Sequence, residues 1–75
     1  MLTTVEAYVP RYPAPARFLR LPEVSRRTGL PRGSIYEQIG LGLFPKPVSL
    51  TNRTVGWIES EVDAWIEARI RARSA

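Results

Sequence analysis

Apolar residues recur along this chain at two different spacings, and the change from one spacing to the other divides it into elements. In "RFLRLPEVSRRTGL", Leu21, Val24 and Thr28 share one helical face. Pro22 suits a first turn and Gly29 stands just past an end, which predicts a short helix over about residues 22–28. On it Arg26 points away from Val24, with Ser25 and Arg27 on the flanks. After the turn "TGLP", the stretch "RGSIYEQIGLG" sets Ile35 and Ile39 four residues apart. A second helix is predicted there, with Ile35 and Ile39 inward, Gly33, Glu37 and Gly40 outward, and Ser34 and Tyr36 beside them. Gly40 and Gly42 end it. Inside a helix Gly33 costs up to about 1 kcal/mol. Either another backbone, such as a phosphodiester chain, comes close to it, or the first turn is loosely formed.

Downstream the period changes to two. In "KPVSLTNRTVGW", Val48 and Leu50 alternate with Ser49, while Val55 and Trp57 alternate with Thr54 and Gly56, which predicts two half-buried strands around the polar turn "TN". Pro45 and Pro47 stiffen the approach and blunt an exposed edge. Arg53 would ride at the tip of this hairpin, where an arginine meets phosphates or a narrow minor groove. The alternative is a hairpin that only covers the core, with Arg53 solvated. In "ESEVDAWIEARIRAR" the spacing returns to three and four through Val62, Trp65, Ile66 and Ile70. A third helix is expected, with acids at its start, arginines at its end and a Glu67/Arg71 pair. Arg69 and Arg73 fall on its apolar side, so either the helix has passed the edge of the core there or its end meets a partner. Trp57 and Trp65 are expected as core anchors.

Composition narrows the function classes. The chain has 75 residues, room for one small domain. With no cysteine and no histidine, disulfide frameworks, zinc sites and Cys/His or Ser/His catalytic pairs are excluded, and neither an enzyme nor a cofactor is expected. No apolar run approaches the roughly 20 residues of a membrane span. "MLTTVEAYVP" lacks the pattern of a signal peptide, so a cytoplasmic, nucleoid-associated protein is expected. Eleven Lys+Arg against seven Asp+Glu give a net charge of +4. Ten of the cations are arginine, whose planar fork suits phosphates and guanine edges. The excess is greatest over residues 22–57, at +3, whereas residues 58–75 carry −1. Residues 1–17, with Pro10, Pro13 and Pro15, read as a flexible arm, and residues 18–75 as the domain.

Two short helices joined by a glycine-containing turn have the spacing of a helix-turn-helix, whose second helix enters the major groove. The ordered combination of "LPEV", "TGL", "SIY", "FPKPV" and "VGW..SEV..W", over residues 18 to about 73, resembles the AlpA family of small phage and prophage regulators. That family is similar in fold to excisionases and to the DNA-binding part of MerR-type proteins. The resemblance implies a mainly α fold with a small β-hairpin: a MerR-like winged helix-turn-helix with a two-stranded wing and a C-terminal helix. It implies sequence-specific binding of double-stranded DNA and transcriptional regulation. By it, Arg32, Ser34 and Tyr36 match the start of the reading helix, Lys46 the wing approach and Arg53 the wing tip. Two features depart from the pattern: Glu37 stands where a basic residue is usual, and "GLG" replaces a polar or basic run before "FP". Glu37 is expected to accept a hydrogen bond from cytosine N4.

The leading reading is a positive regulator, an activator or antiterminator acting with RNA polymerase. The alternatives are an excisionase-like protein that bends an attachment site for a recombinase, and a protein-interaction module that binds no DNA. If Arg26, Arg27, Arg32, Lys46 and Arg53 each neutralise a phosphate, the log–log salt slope is roughly −4 to −5. So small a module buries about 600–1,000 Å² on DNA. A monomer in solution that assembles in several copies on DNA is expected.

Overall fold

The computed structural model describes residues 16–73. Apart from Ala16 and Arg17, the arm expected over residues 1–17 lies outside the described residues. Three helices, α1 (Leu21–Thr28), α2 (Arg32–Gly40) and α3 (Glu59–Arg73), enclose three short strands, β1 (Phe18–Leu19), β2 (Val48–Ser49) and β3 (Val55–Ile58). The strands form one antiparallel sheet in the order β1-β3-β2. A third strand therefore extends the two-stranded hairpin read from the sequence into a three-stranded sheet. β1 is the addition, pairing Phe18 with Ile58 and Leu19 with Trp57.

The helix ends follow from local chemistry. Gly29 closes α1 in the left-handed region (φ 75°), its N–H donating to the Ser25 carbonyl at 2.8 Å. The turn that follows is laced from both sides. Leu30 N–H donates to Thr28 Oγ1 (3.2 Å), and Ser25 Oγ donates back to the Leu30 carbonyl (2.6 Å). These bonds fix the angle at which α2 leaves α1. At the far end of α2, Gly42 is again left-handed (φ 74°). Its N–H reaches the Ile39 carbonyl and Leu43 N–H the Gln38 carbonyl, at 3.0 and 2.9 Å, a Schellman stop.

The core is assembled from one side chain of each segment except β2: Leu19 from β1, Val24 from α1, Ile35 from α2, Phe44 from the linker, Trp57 from β3 and Val62 from α3. Burying each such side chain is worth about 1.5–3 kcal/mol, so none of the segments that contribute one is dispensable in a domain this small. Gly56, buried in the central strand, admits no larger residue freely. A Cβ there would lie 3.0 Å from Leu50 Cδ1 and 3.2 Å from Phe18 Cβ. From Glu67 to Arg73 every residue of α3 is exposed, so the helix has run past the edge of the core.

Candidate nucleic-acid interface

Ile35 is fully buried and anchors α2 by one face. The opposite face, Gly33, Glu37 and Gly40, is open to solvent. Nothing lies within 4 Å of where a Cβ on Gly33 would sit, and its φ is not positive, so neither packing nor backbone conformation requires a glycine there. Tyr36 turns toward β3 and meets the buried Trp57 edge-on, ring centroids 6.2 Å apart. The Arg32 guanidinium lies over the Tyr36 ring, 5.6 Å from its centroid. Core tryptophan, half-exposed tyrosine and surface arginine thus form a relay of contacts. It restricts the rotamers of Arg32 before any ligand arrives, at an attraction of about 0.5–1 kcal/mol for such an exposed pair.

The linker between α2 and the wing (the β2–β3 hairpin) is gripped by both tryptophans. Trp65 Nε1 donates to the Leu43 carbonyl (2.8 Å) and Trp57 Nε1 to the Pro45 carbonyl (3.0 Å). Phe44, between those carbonyls, is buried and packs edge-on against Trp65, centroids 4.9 Å apart. The two tryptophans are core anchors, as expected, and they also hold the linker that carries Lys46. At the wing tip Leu50 N–H donates to the Thr54 carbonyl (2.8 Å) and Arg53 N–H to Thr51 Oγ1 (3.3 Å). The ladder proper is shorter than the sequence pattern suggests, Val48 pairing with Gly56 and Ser49 with Val55, so residues 50–54 form the tip and Arg53 is exposed on it.

The arginines divide into two groups. Arg27 donates to Glu59 Oε2 at 2.6 Å and to Asp63 Oδ1 at 3.0 Å, and Glu23 lies 3.6 Å away. Arg17 joins the same acids, 3.2 Å from Glu59 and 3.3 Å from Glu23. The hydrogen bond to Glu59, helped by the charges of Glu59, Asp63 and Glu23 and opposed by desolvation, raises the Arg27 pKa above the ordinary arginine value. Arg27 was expected to face a phosphate. The structure instead engages it with the acidic start of α3, where it ties α1 to that helix. By contrast Arg26, Arg32, Lys46 and Arg53 make no ion pair among the described residues. On the flank of α2 away from the wing, a recess lined by Leu30, Ser34, Glu37, Gln38, Trp65 and Arg69 brings a cation of α3 beside the second helix. Helical periodicity sets Arg69 on the apolar side of α3, where either the helix has passed the edge of the core or its end meets a partner. The recess brings together residues thirty and more apart in the chain, which spacing does not report.

A family model described as "Prophage CP4-57 regulatory protein (AlpA)" matches residues 17–70. An uncharacterised protein of Enterobacteria phage P4, ORF88, is 53% identical over 57 residues, which cover 76% of this chain and 65% of that protein. This chain therefore spans slightly less than two thirds of the phage P4 relative. The DNA-binding transcriptional activator AlpA of Escherichia coli (strain K12) is 39% identical over 61 residues, covering 73% of this chain and 87% of that protein.

Proposed function

The chain belongs to the AlpA family of prophage regulatory proteins, and from that premise we propose that it is a sequence-specific, DNA-binding transcriptional regulator that acts as an activator. The observation that carries this reading is the partition of its cations. Arg17 and Arg27 are paired with acids inside the fold, while Arg32, Lys46 and Arg53, on one helix start, one linker and one wing tip, have no acidic partner among the described residues. In the proposed complex α2 lies in the major groove, where the Arg32 fork reads a guanine edge and Glu37 accepts from cytosine N4. Gly33 leaves room for the close approach. The wing lies over the neighbouring backbone in the MerR-like manner, Lys46 and Arg53 meeting phosphates. No helix of the described residues is long and apolar enough to cross a membrane.

Anisotropy of a labelled duplex from the gene's own neighbourhood, against a scrambled duplex and across a salt series, tests the proposal. Three phosphate contacts by Arg26, Lys46 and Arg53 give an expected slope of about −2.7. Arg53→Ala should make it shallower by about 0.9. A wild type with no preference for the native duplex, and an Arg53→Ala variant indistinguishable from it, would remove the DNA-binding reading and leave the protein-interaction module in its place.

A further inference from the structure

We infer that Arg69, on the C-terminal helix, is a DNA-contacting residue that holds the phosphate backbone along the flank of α2 opposite the wing. The inference rests on the DNA-binding reading above and extends it to an element outside the helix-turn-helix and its wing. A major groove is about 12 Å wide and walled by two phosphate backbones. A helix with its side chains is about 10–12 Å across, so one seated in the groove brings both of its flanks close to phosphate. On α2 the two flanks differ. The side that meets β3 through Tyr36 has Arg32 stacked on that ring. The other side presents Ser34, Glu37 and Gln38, whose only ionised group is a carboxylate. A phosphate backbone along that flank would find no cation on α2 itself, only the carboxylate of Glu37.

Arg69 supplies the missing charge. It lines the recess that holds Ser34, Glu37 and Gln38, is exposed, and makes no ion pair among the described residues. Its geometry follows from the run of α3 beyond the core: Trp65, whose indole is fastened to the Leu43 carbonyl, floors the recess, and Arg69 stands one turn further on. Arg73, a turn beyond that, shares with Arg69 and Trp65 a second groove lined by Arg27, Thr28, Ile66 and Ile70, but does not line the recess beside α2. The two arginines carry the same charge on the same helix and differ in whether they border the reading helix, so each is the control for the other.

The test is the salt dependence of binding to the preferred duplex for the wild type, Arg69→Ala, Arg69→Lys and Arg73→Ala, with thermal melts alongside. Each phosphate contact contributes about 0.9 to the slope, so losing one costs about eightfold in affinity at about 0.1 M salt relative to about 1 M. Arg69→Ala should show that loss with an unchanged melt. Arg69→Lys should keep the wild-type slope, and so should Arg73→Ala. An Arg69→Ala slope equal to wild type overturns the inference while leaving the wing-and-helix reading intact. Equal losses from Arg69→Ala and Arg73→Ala overturn it as well, since they would reflect net charge rather than position. A wild type without salt-dependent preference overturns both readings.

Discussion

Gly33→Ala separates what the fold needs from what a bound duplex needs. Gly33 is the second residue of α2, its φ is not positive, and nothing stands within 4 Å of the position a Cβ would take. An added methyl therefore meets no clash inside the protein. The glycine-to-alanine exchange then gains up to about 1 kcal/mol, less than a full interior position because only one turn has formed. For a domain of this size that raises the Tm by up to about 4–8 °C. Binding should move in the opposite direction. On the open face of α2 between Arg32 and Ser34, a methyl lifts the helix away from base edges and loosens the bidentate contact assigned to Arg32, an interaction worth about 1–3 kcal/mol of base discrimination. Melting followed by circular dichroism and anisotropy on native and scrambled duplexes read the two effects from one protein sample. A higher Tm with at least about tenfold weaker preference is the expected pair, tenfold corresponding to about 1.4 kcal/mol. A higher Tm with unchanged preference refutes the close approach at Gly33. A lower Tm refutes the open geometry itself.

Two further outcomes follow from contacts inside the fold. Arg27→Met should lower the Tm while leaving the salt slope of DNA binding unchanged, because Arg27 faces Glu23, Glu59 and Asp63; a slope shallower by about 0.9 would instead return it to the phosphate contacts. Its raised pKa gives stability that is complete below the unfolded value and is lost only as pH climbs through the folded one, so the arginine side of this network stays charged at every ordinary pH. Trp65→Phe removes the donor to the Leu43 carbonyl and should cost about 1 kcal/mol in urea unfolding, with weaker DNA binding as the linker bearing Lys46 loosens. An unchanged urea midpoint would mean that the indole N–H does not hold the linker.

The three helices were legible because each carries its own stop or its own period. Gly29 and Gly42 take the left-handed conformations their positions suggest, and Val62, Trp65 and Ile66 face the core as their spacing requires. The wing was legible in kind, from alternation around "TN", but not in extent. β1 leaves no mark in the sequence pattern, because two residues carry no period and its partner, β3, lies some forty positions away. The acid cluster around Arg27 was hidden for the same reason: Arg27 lies 32 and 36 residues from Glu59 and Asp63. Of the cations expected to meet DNA, Arg26, Arg32, Lys46 and Arg53 make no ion pair among the described residues, and Arg27 departs from them. Arg69 left two readings open from spacing alone. Where an exposed helix end lies relative to a neighbouring helix is set by tertiary packing, and helical periodicity is blind to it.

The sheet has its central strand last. β3 hydrogen-bonds to β1 on one side and β2 on the other, and it is also the strand that carries Trp57, against which Tyr36 rests. As the chain is synthesised, both short helices leave the ribosome with the linker and β2 before there is any strand for them to pair with. Helices of eight and nine residues are too short to persist alone in water. A message cut or a ribosome stalled ahead of Val55 therefore releases a chain containing every residue assigned to α2 and Lys46 but no surface to present them. On the proposed function, that makes the response to premature termination all or none: incomplete chains are open to proteolysis and do not compete with finished ones for DNA.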